Sequence, residues 1–257
     1  MTALRTELSD MWVLAVRSAK RIPRQPDLLI GYTVQPLMFV LLFVYVLGGA
    51  ISTPGYTYVE FLIPGIIVQT MAFGGFVTAL GLSEDLKKGL MDRFRSLPMS
   101  RSAVLTGRTL ADVSTNVVQL IVVLGVGLLI GFEFKTGLGH VVAGIALLLL
   151  IGYSFSWVFA VIGLVASSPE AANAYGFTII FPLTFISSAF VPVKSMPGWL
   201  QPVAENNPFT IMVNAVRSLF LGIDVGNDVW LAVVWTVGIT AVSAVLAIWR
   251  YRRVVAK

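Results

Sequence analysis

Six runs of about twenty predominantly apolar residues divide the chain, at 28–50, 61–83, 113–132, 141–166, 171–193 and 229–249. A bilayer core about 30 Å thick is crossed by roughly 20 such residues in a helix. Lipid offers no partner for a free backbone amide, so runs of this length are predicted to be helices. The expected fold is an all-α integral membrane protein with six transmembrane helices in one domain over 1–257. Only 12% of the 257 residues are charged and 57% are hydrophobic, against about 25% charged in a soluble domain. Mean hydropathy is +0.87.

The basic residues supply an independent test. Arg5, Arg17, Lys20, Arg21 and Arg24 precede the first run, and Lys87, Lys88, Arg93, Arg95, Arg101 and Arg108 lie between the second and third. Arg250, Arg252, Arg253 and Lys257 follow the sixth; Lys135, Lys194 and Arg217 are the remaining three. With both termini cytoplasmic, fifteen of the eighteen fall inside and three outside, a strong positive-inside bias. Trp230 and Trp249 then sit at the two interfaces of the last span. The net charge of +5 therefore reflects topology, and no nucleic-acid partner is expected. The first 24 residues carry charges throughout and lack the apolar core of a cleavable signal peptide, so the first span is expected to be retained.

Two further segments are neither simple loop nor span. Leu4, Leu8, Met11, Trp12, Ala15, Val16 and Ala19 recur at helical spacing, with Arg5, Glu7, Asp10, Arg17 and Lys20 on other faces and Pro23 ending the pattern. This predicts an amphipathic helix within 1–26 lying in the cytoplasmic interface. On the outer side, Phe209, Met212, Val213, Val216, Leu219 and Phe220 form a stripe of about three turns, too short to span. The segment 194–224 is expected to hold short re-entrant helices between spans five and six.

The charged segment between runs two and three carries Leu86, Leu90, Phe94 and Leu97 on one helical face, and Pro98 ends the pattern. A loop that only fixes topology needs charge, but neither a stripe nor a defined stop. An exposed apolar stripe marks an interaction surface, so 84–101 is expected to dock on a cytoplasmic partner.

Polar residues inside the spans are few. Asp112, Asn116 and Gln119 share one face of the third span, and Gln35 and Gln69 stand in the first and second. They are expected to face the protein interior, either lining a substrate path or bonding helix to helix. Pro36, Pro64 and Pro182 are expected kinks. Cysteine is absent, His140 stands alone, and there is no HExxH or GxSxG, so neither a metal site nor catalytic residues are expected. No G-x-x-x-x-G-K-[ST] loop occurs, so ATP, if it drives transport, binds another chain. A proton-coupled secondary multidrug transporter is the alternative, although Glu60, Asp112 and Glu170 all fall at span ends rather than centrally.

The block EDLKKGLMDRFRSLPMSRSAVLTGRTLAD resembles the cytoplasmic segment of ABC-2 type transporter permeases, through Glu84, Gly89, Arg93, Leu97, Pro98, Gly107 and Arg108. The stretch 186–222 resembles the outer-side region of that family, with FVPV, a Met-Pro, and an Asn-Pro before an Arg-containing helix. The daunorubicin-resistance type is the most similar. The resemblance implies an exporter subunit in the bacterial plasma membrane that pairs with a second permease copy, as a homodimer, and with two ATP-binding subunits. ATP and Mg would reside on those subunits, with no cofactor in this chain. It implies ATPase docking at Glu84, Lys87, Gly89, Arg93, Phe94, Arg95, Leu97 and Pro98, and an outer gate at Pro192, Pro197, Asn207, Pro208 and Arg217. The apolar pathway suits a hydrophobic or amphipathic substrate such as a drug, lipid or glycoconjugate.

Overall fold

A computed structural model describes residues 26–88, apart from 52 and 54, and 101–255; for 26–33, 101–104 and 254–255 it gives the backbone course alone. The expected interfacial helix before residue 26 lies outside these residues, as do Gly89, Arg93, Phe94, Arg95, Leu97 and Pro98. The described residues form helices and connecting turns, with no strand among them.

Helix α1 (Pro26–Leu41) contains Pro36 and passes directly into a π-helical turn, Leu42–Leu47. Helix α2 (Tyr58–Phe73) starts at a capping box: the Thr57 hydroxyl accepts from the Glu60 amide at 3.3 Å, and the Glu60 carboxylate accepts from the Thr57 amide at 3.0 Å. That exchange satisfies two amides which a helix start leaves without partners. Helix α3 (Phe76–Lys87) follows after only Gly74 and Gly75, both in the right-handed helical region. The two therefore form one segment of 30 residues, about 45 Å long at 1.5 Å per residue. Then come α4 (Arg101–Leu129), α5 (Leu138–Val165) and α6 (Pro169–Phe185). A 3-10 turn (Val193–Ser195), α7 (Gln201–Glu205), α8 (Pro208–Leu221) and α9 (Asp228–Val255) complete the chain.

Among the described residues, four helical segments are long and apolar enough to cross a membrane: Tyr58–Lys87, Leu105–Leu129, Leu138–Val165 and Asp228–Arg253. They fall on the second, third, fourth and sixth predicted runs. The first run falls on α1 and its π turn, of which Val34–Leu47 is a shorter apolar helix. The fifth run needs correction. Helix α6 stops at Phe185 after 17 residues, and 186–192 forms a turn rather than the end of a span. Ile186 leaves the helical region (φ −89, ψ 52), and the Asn207 amide donates to the carbonyls of Leu183 and Ile186 at 2.8 and 2.6 Å. Those carbonyls are thus capped by a side chain from further along the sequence.

Helix α5 is the hub, packing against α2, α3, α4, α6, α8 and α9. Its fourteen buried residues are apolar or small. Close approach to α3 depends on glycine at two places. A Cβ on Gly163 would lie 2.6 Å from the Ala79 carbonyl oxygen, and one on Gly75 would lie 2.6 Å from the Ser156 Cα. Helix α9 turns much of its surface outward, with Trp230, Val245 and Trp249 exposed.

Gly75→Val should force α3 away from α5. Overpacking a fitted interface costs about 1–3 kcal/mol, so the thermal midpoint of purified protein should fall by several degrees. Gly139→Ala, whose Cβ would meet nothing within 4 Å, should leave it within a degree or so.

Candidate functional site

Three groups of polar residues, spread along the long axis of the bundle, account for the described part of the predicted site. The first lies where α3 and α4 flank the segment expected to dock. Arg108 on α4 reaches across to Asp85 on α3 at 2.6 Å, and its guanidinium lies over Gly81, where a Cβ would come within 1.7 Å of it. The Gly-Arg of the motif thus joins the two helices at the base of the segment between them. Glu84 and Lys87 stand on the last turns of α3, and Glu84 pairs with Lys88 at 2.6 Å in an exposed i, i+4 bridge. Such a bridge contributes little to stability, whereas the Arg108–Asp85 pair is about three-quarters withdrawn from solvent and crosses between helices.

The second group is the polar face of α4, and its members divide. Asp112 is buried and accepts from the Thr78 hydroxyl at 2.7 Å, which ties α4 to α3. Asn116 is wedged between helices: a Cβ on Gly74 would be 1.7 Å from its Oδ1, and one on Gly152 would be 2.4 Å from its Nδ2. Neither end of that amide has a hydrogen-bond partner among the described residues. Gln119, one turn further, borders a cleft instead. Gln35 and Pro36 of α1 and Gln69 and Thr70 of α2 share that cleft, which is partly open to the outside and has a volume of only about 30 Å³. The Gln69 amide donates to the Thr184 hydroxyl at 3.4 Å. Three of the five residues expected on a path therefore meet around one opening, while Asp112 and Asn116 are packed between helices.

The third group lies at the end of the bundle expected to face outward. Arg217 of α8 is buried with no carboxylate against it among the described residues. It donates to the Phe61 carbonyl from Nε and Nη2 at 3.0 and 2.8 Å, and to the Ser188 carbonyl from Nη2 at 2.6 Å. Nη1 reaches the Ser188 hydroxyl at 3.1 Å, and the guanidinium carbon sits 3.6 Å above the centre of the Phe61 ring. One side chain thus joins α8, the start of α2 and the turn after α6. Gly65 admits that turn, since a Cβ there would be 2.1 Å from the Ala189 carbonyl oxygen. Asn207 caps α8 by accepting from the Phe209 amide at 2.8 Å, and Pro208 holds the first helical position. Pro192 and Pro197 bracket the 3-10 turn and do not enter this bond network.

Several participants escaped sequence reasoning. Asn214 accepts from the Ser188 hydroxyl at 3.0 Å and donates to Asp228 at 3.2 Å, extending the network to α9. Its position three residues before Arg217 was the available signal. Glu60 pairs with Lys135 at 2.6 Å, and the Tyr58 hydroxyl donates to the Phe190 carbonyl at 3.0 Å. The T-x-x-E box at 57–60 was visible in the sequence, but its link to Lys135 was not. Among the described residues no group of three or more His, Asp or Glu side chains converges as a metal site would require.

Residues 9–221 match the family model for ABC-2 type transporters. A daunorubicin resistance ABC transporter permease protein, DrrB1, of Streptomyces coeruleorubidus is 37% identical over 251 residues, covering 98% of this chain and 87% of that protein. A probable doxorubicin resistance ABC transporter permease protein, DrrC, of Mycobacterium tuberculosis is 28% identical over 225 residues, covering 87% and 81%. A putative transport permease, ycf38, of Cyanophora paradoxa is 27% identical over 217 residues, covering 83% and 74%.

Arg217→Lys keeps the charge but loses the planar fork that reaches two carbonyls at once. Leaving buried acceptors without donors costs about 1–3 kcal/mol each. The thermal midpoint of the Lys variant should therefore fall by several degrees, and further still in Arg217→Met. An unchanged midpoint in both would remove the clamp from the account.

Proposed function

Because the chain belongs to the ABC-2 type transporter family, we propose that it is the permease subunit of an ATP-driven exporter of hydrophobic drugs. Two copies pair in the bacterial plasma membrane, each crossing it six times with both termini cytoplasmic. Each copy carries one ATP-binding subunit, which supplies the ATP and Mg site. The observation that carries this reading is the 37% identity, across nearly the whole chain, to a permease named for daunorubicin resistance. The doxorubicin named for the second relative favours a drug over a lipid or a glycoconjugate as cargo.

The geometry supplies a route for the work. The segment 84–101 docks on the ATP-binding subunit through Glu84, Lys87, Gly89, Arg93, Phe94, Arg95, Leu97 and Pro98. A push there enters α3 and α4 together, because Arg108 and Asp85 hold their ends to each other. The continuous segment Tyr58–Lys87 carries the displacement to the carbonyl of Phe61, which Arg217 binds. Coupling of this kind needs a connected element that both sites bias; here it is one helical segment with a docking end and a gating end. Gln35, Gln69 and Gln119 line the path, and Asn207, Pro208 and Arg217, with Pro192 and Pro197 in the flanking turn, close it on the outside.

The test is co-expression with the ATP-binding subunit of the same transporter, followed by purification through a tag on that subunit. This chain should co-purify, and the pair should export daunorubicin from vesicles only with ATP and Mg. Arg93→Glu with Leu97→Asp should abolish both co-purification and export; survival of both would refute the docking role.

A further inference from the structure

Asp112 lies inside the apolar segment Leu105–Leu129, only 5% exposed, and takes no part in the docking route or the glutamine cleft. Its carboxylate accepts from the Thr78 hydroxyl, but among the described residues no cation stands within ion-pair distance of it. An ionisable group left without a partner inside a span is costly. One remedy stands on the same helix. Arg108 precedes Asp112 by one turn and is the positive charge that acts on it. Side chains four residues apart on a helix are neighbours.

In this structure Arg108 is turned toward α3 instead. Its Nη1 meets the Asp85 Oδ2 at 2.6 Å, while its Nη2 lies over Gly81, where a Cβ would come within 1.7 Å of it. Asp85, Gly81 and Thr78 follow one another along one face of α3, four and three residues apart. The guanidinium therefore already extends one turn from Asp85 toward the hydroxyl that holds Asp112. The remaining step from Gly81 to Thr78 is about 4.5 Å at 1.5 Å per residue. Glycine keeps that way clear, since any side chain at 81 would stand where the guanidinium lies. One arginine thus faces two carboxylates: Asp85, partly exposed on α3, and Asp112, buried further into the bundle.

We infer that Arg108 is a two-position switch, paired with Asp85 in this structure and with Asp112 in a second arrangement in which the ends of α3 and α4 have parted. Breaking an ion pair that is withdrawn from water normally leaves an uncompensated charge. Here the released guanidinium passes to a carboxylate that has no cation of its own, so the helix ends separate without that cost. Thr78 holds Asp112 in place meanwhile. The two positions are discrete, as an element that couples distant sites requires. Asp85 stands at the start of the segment 84–101 and Arg108 follows its end, so movement of that segment decides which carboxylate holds the arginine. The inference rests on the exporter reading and adds to it the step at which the docking end lets α3 and α4 move apart.

The experiment uses the assembled complex with its ATP-binding subunit, in which one permease copy carries spin labels at Lys88→Cys and Val118→Cys. These are exposed positions at the end of α3 and on α4, and the chain has no native cysteine to remove. Pulsed electron resonance reads the distance between the labels. Without nucleotide the unaltered complex should show one distance, and ATP with vanadate should add a longer one. Asp85→Asn should populate the longer distance without nucleotide, and adding Asp112→Asn to it should reduce that population severalfold. A pair that merely braces two helices would give the same spread in both variants. Asp112→Asn alone should keep the short distance under ATP with vanadate and lower export about tenfold, within the usual range of coupling between sites. It should not lower the thermal midpoint, because the amide oxygen still accepts from Thr78. Asp112→Glu should recover part of the export, and Glu133→Gln, at an exposed carboxylate elsewhere, should change none of these readouts. The switch is overturned if Asp85→Asn never shows the longer distance, or if that distance survives in the double variant. It is also overturned if Asp112→Asn exports and shifts like the unaltered complex. If ATP drives export but the double variant keeps the longer distance, the switch falls while the exporter reading stands. If the nucleotide-free distances follow the pattern above but ATP drives no export, the exporter reading falls and the switch stands.

Discussion

A guanidinium buried where water does not reach must have its N–H groups satisfied by the protein, and Arg217 uses main-chain carbonyls for that purpose. Carbonyls lack partners where a helix ends or breaks, and a carbonyl already bonded within a helix keeps a second lone pair for a further donor. The bonds from Arg217 to Phe61 and Ser188 therefore fix three places against one another: the first turn of α2, the turn after α6, and α8 itself. The Phe61 ring beneath the guanidinium adds a cation–π contact in a setting where desolvation strengthens it. Once these points are joined, 186–190 has to lie against α2. Gly65 makes that possible by offering no side chain, and Asn207 completes the turn by capping the carbonyls that α6 leaves open.

The opposite end of the bundle is organised by a different interaction with the same consequence. The Arg108–Asp85 ion pair fixes α3 to α4, and the Thr78–Asp112 bond repeats the tie about two turns further into the bundle. Between these ties and the Arg217 clamp, α2 and α3 run as one segment that contains Pro64 and the pair Gly74–Gly75. Against that pair lie Asn116 and the backbone of Ser156. The two anchored ends are thus connected by one helical segment with a proline and a glycine pair along its length.

Much of this organisation could be read in the sequence, and what could not has a common cause. Long apolar runs are a local signal, and helices long enough to span lie on the second, third, fourth and sixth of them. The end of α6 is not a local signal. The letters FISSAFV after residue 184 are as apolar as a span, and the turn is imposed by Asn207 and Arg217 from more than twenty residues away. The face shared by Asp112, Asn116 and Gln119 follows from helical spacing alone. Its division into two packed residues and one cleft residue does not, because glycines on α2 and α5 decide how closely those helices approach Asn116. The ring contacts of Phe73, Phe177, Phe181, Phe185, Phe190 and Phe43 join α2, α6, a turn and the π turn, so no single stretch of sequence displays them. The charged motif between α3 and α4 was legible as a pattern of residue types, and the described flank explains one part of it: Arg108 pairs with Asp85 opposite.

The polar face of α4 changes character along its length. At Asp112 the hydrogen bond is short and buried, and a helix-to-helix tie accounts for it. At Asn116, one turn on, the enclosed amide has no partner among the described residues, and at Gln119 the Oε1 in the wall of a cleft has none among them either. Both ends of the Asn116 amide lack a partner among the described residues, whereas Gln119 lacks one only at Oε1. An enclosed amide without a partner is costly in an apolar interior, so the close packing that Gly74 and Gly152 permit around Asn116 has to offset that cost.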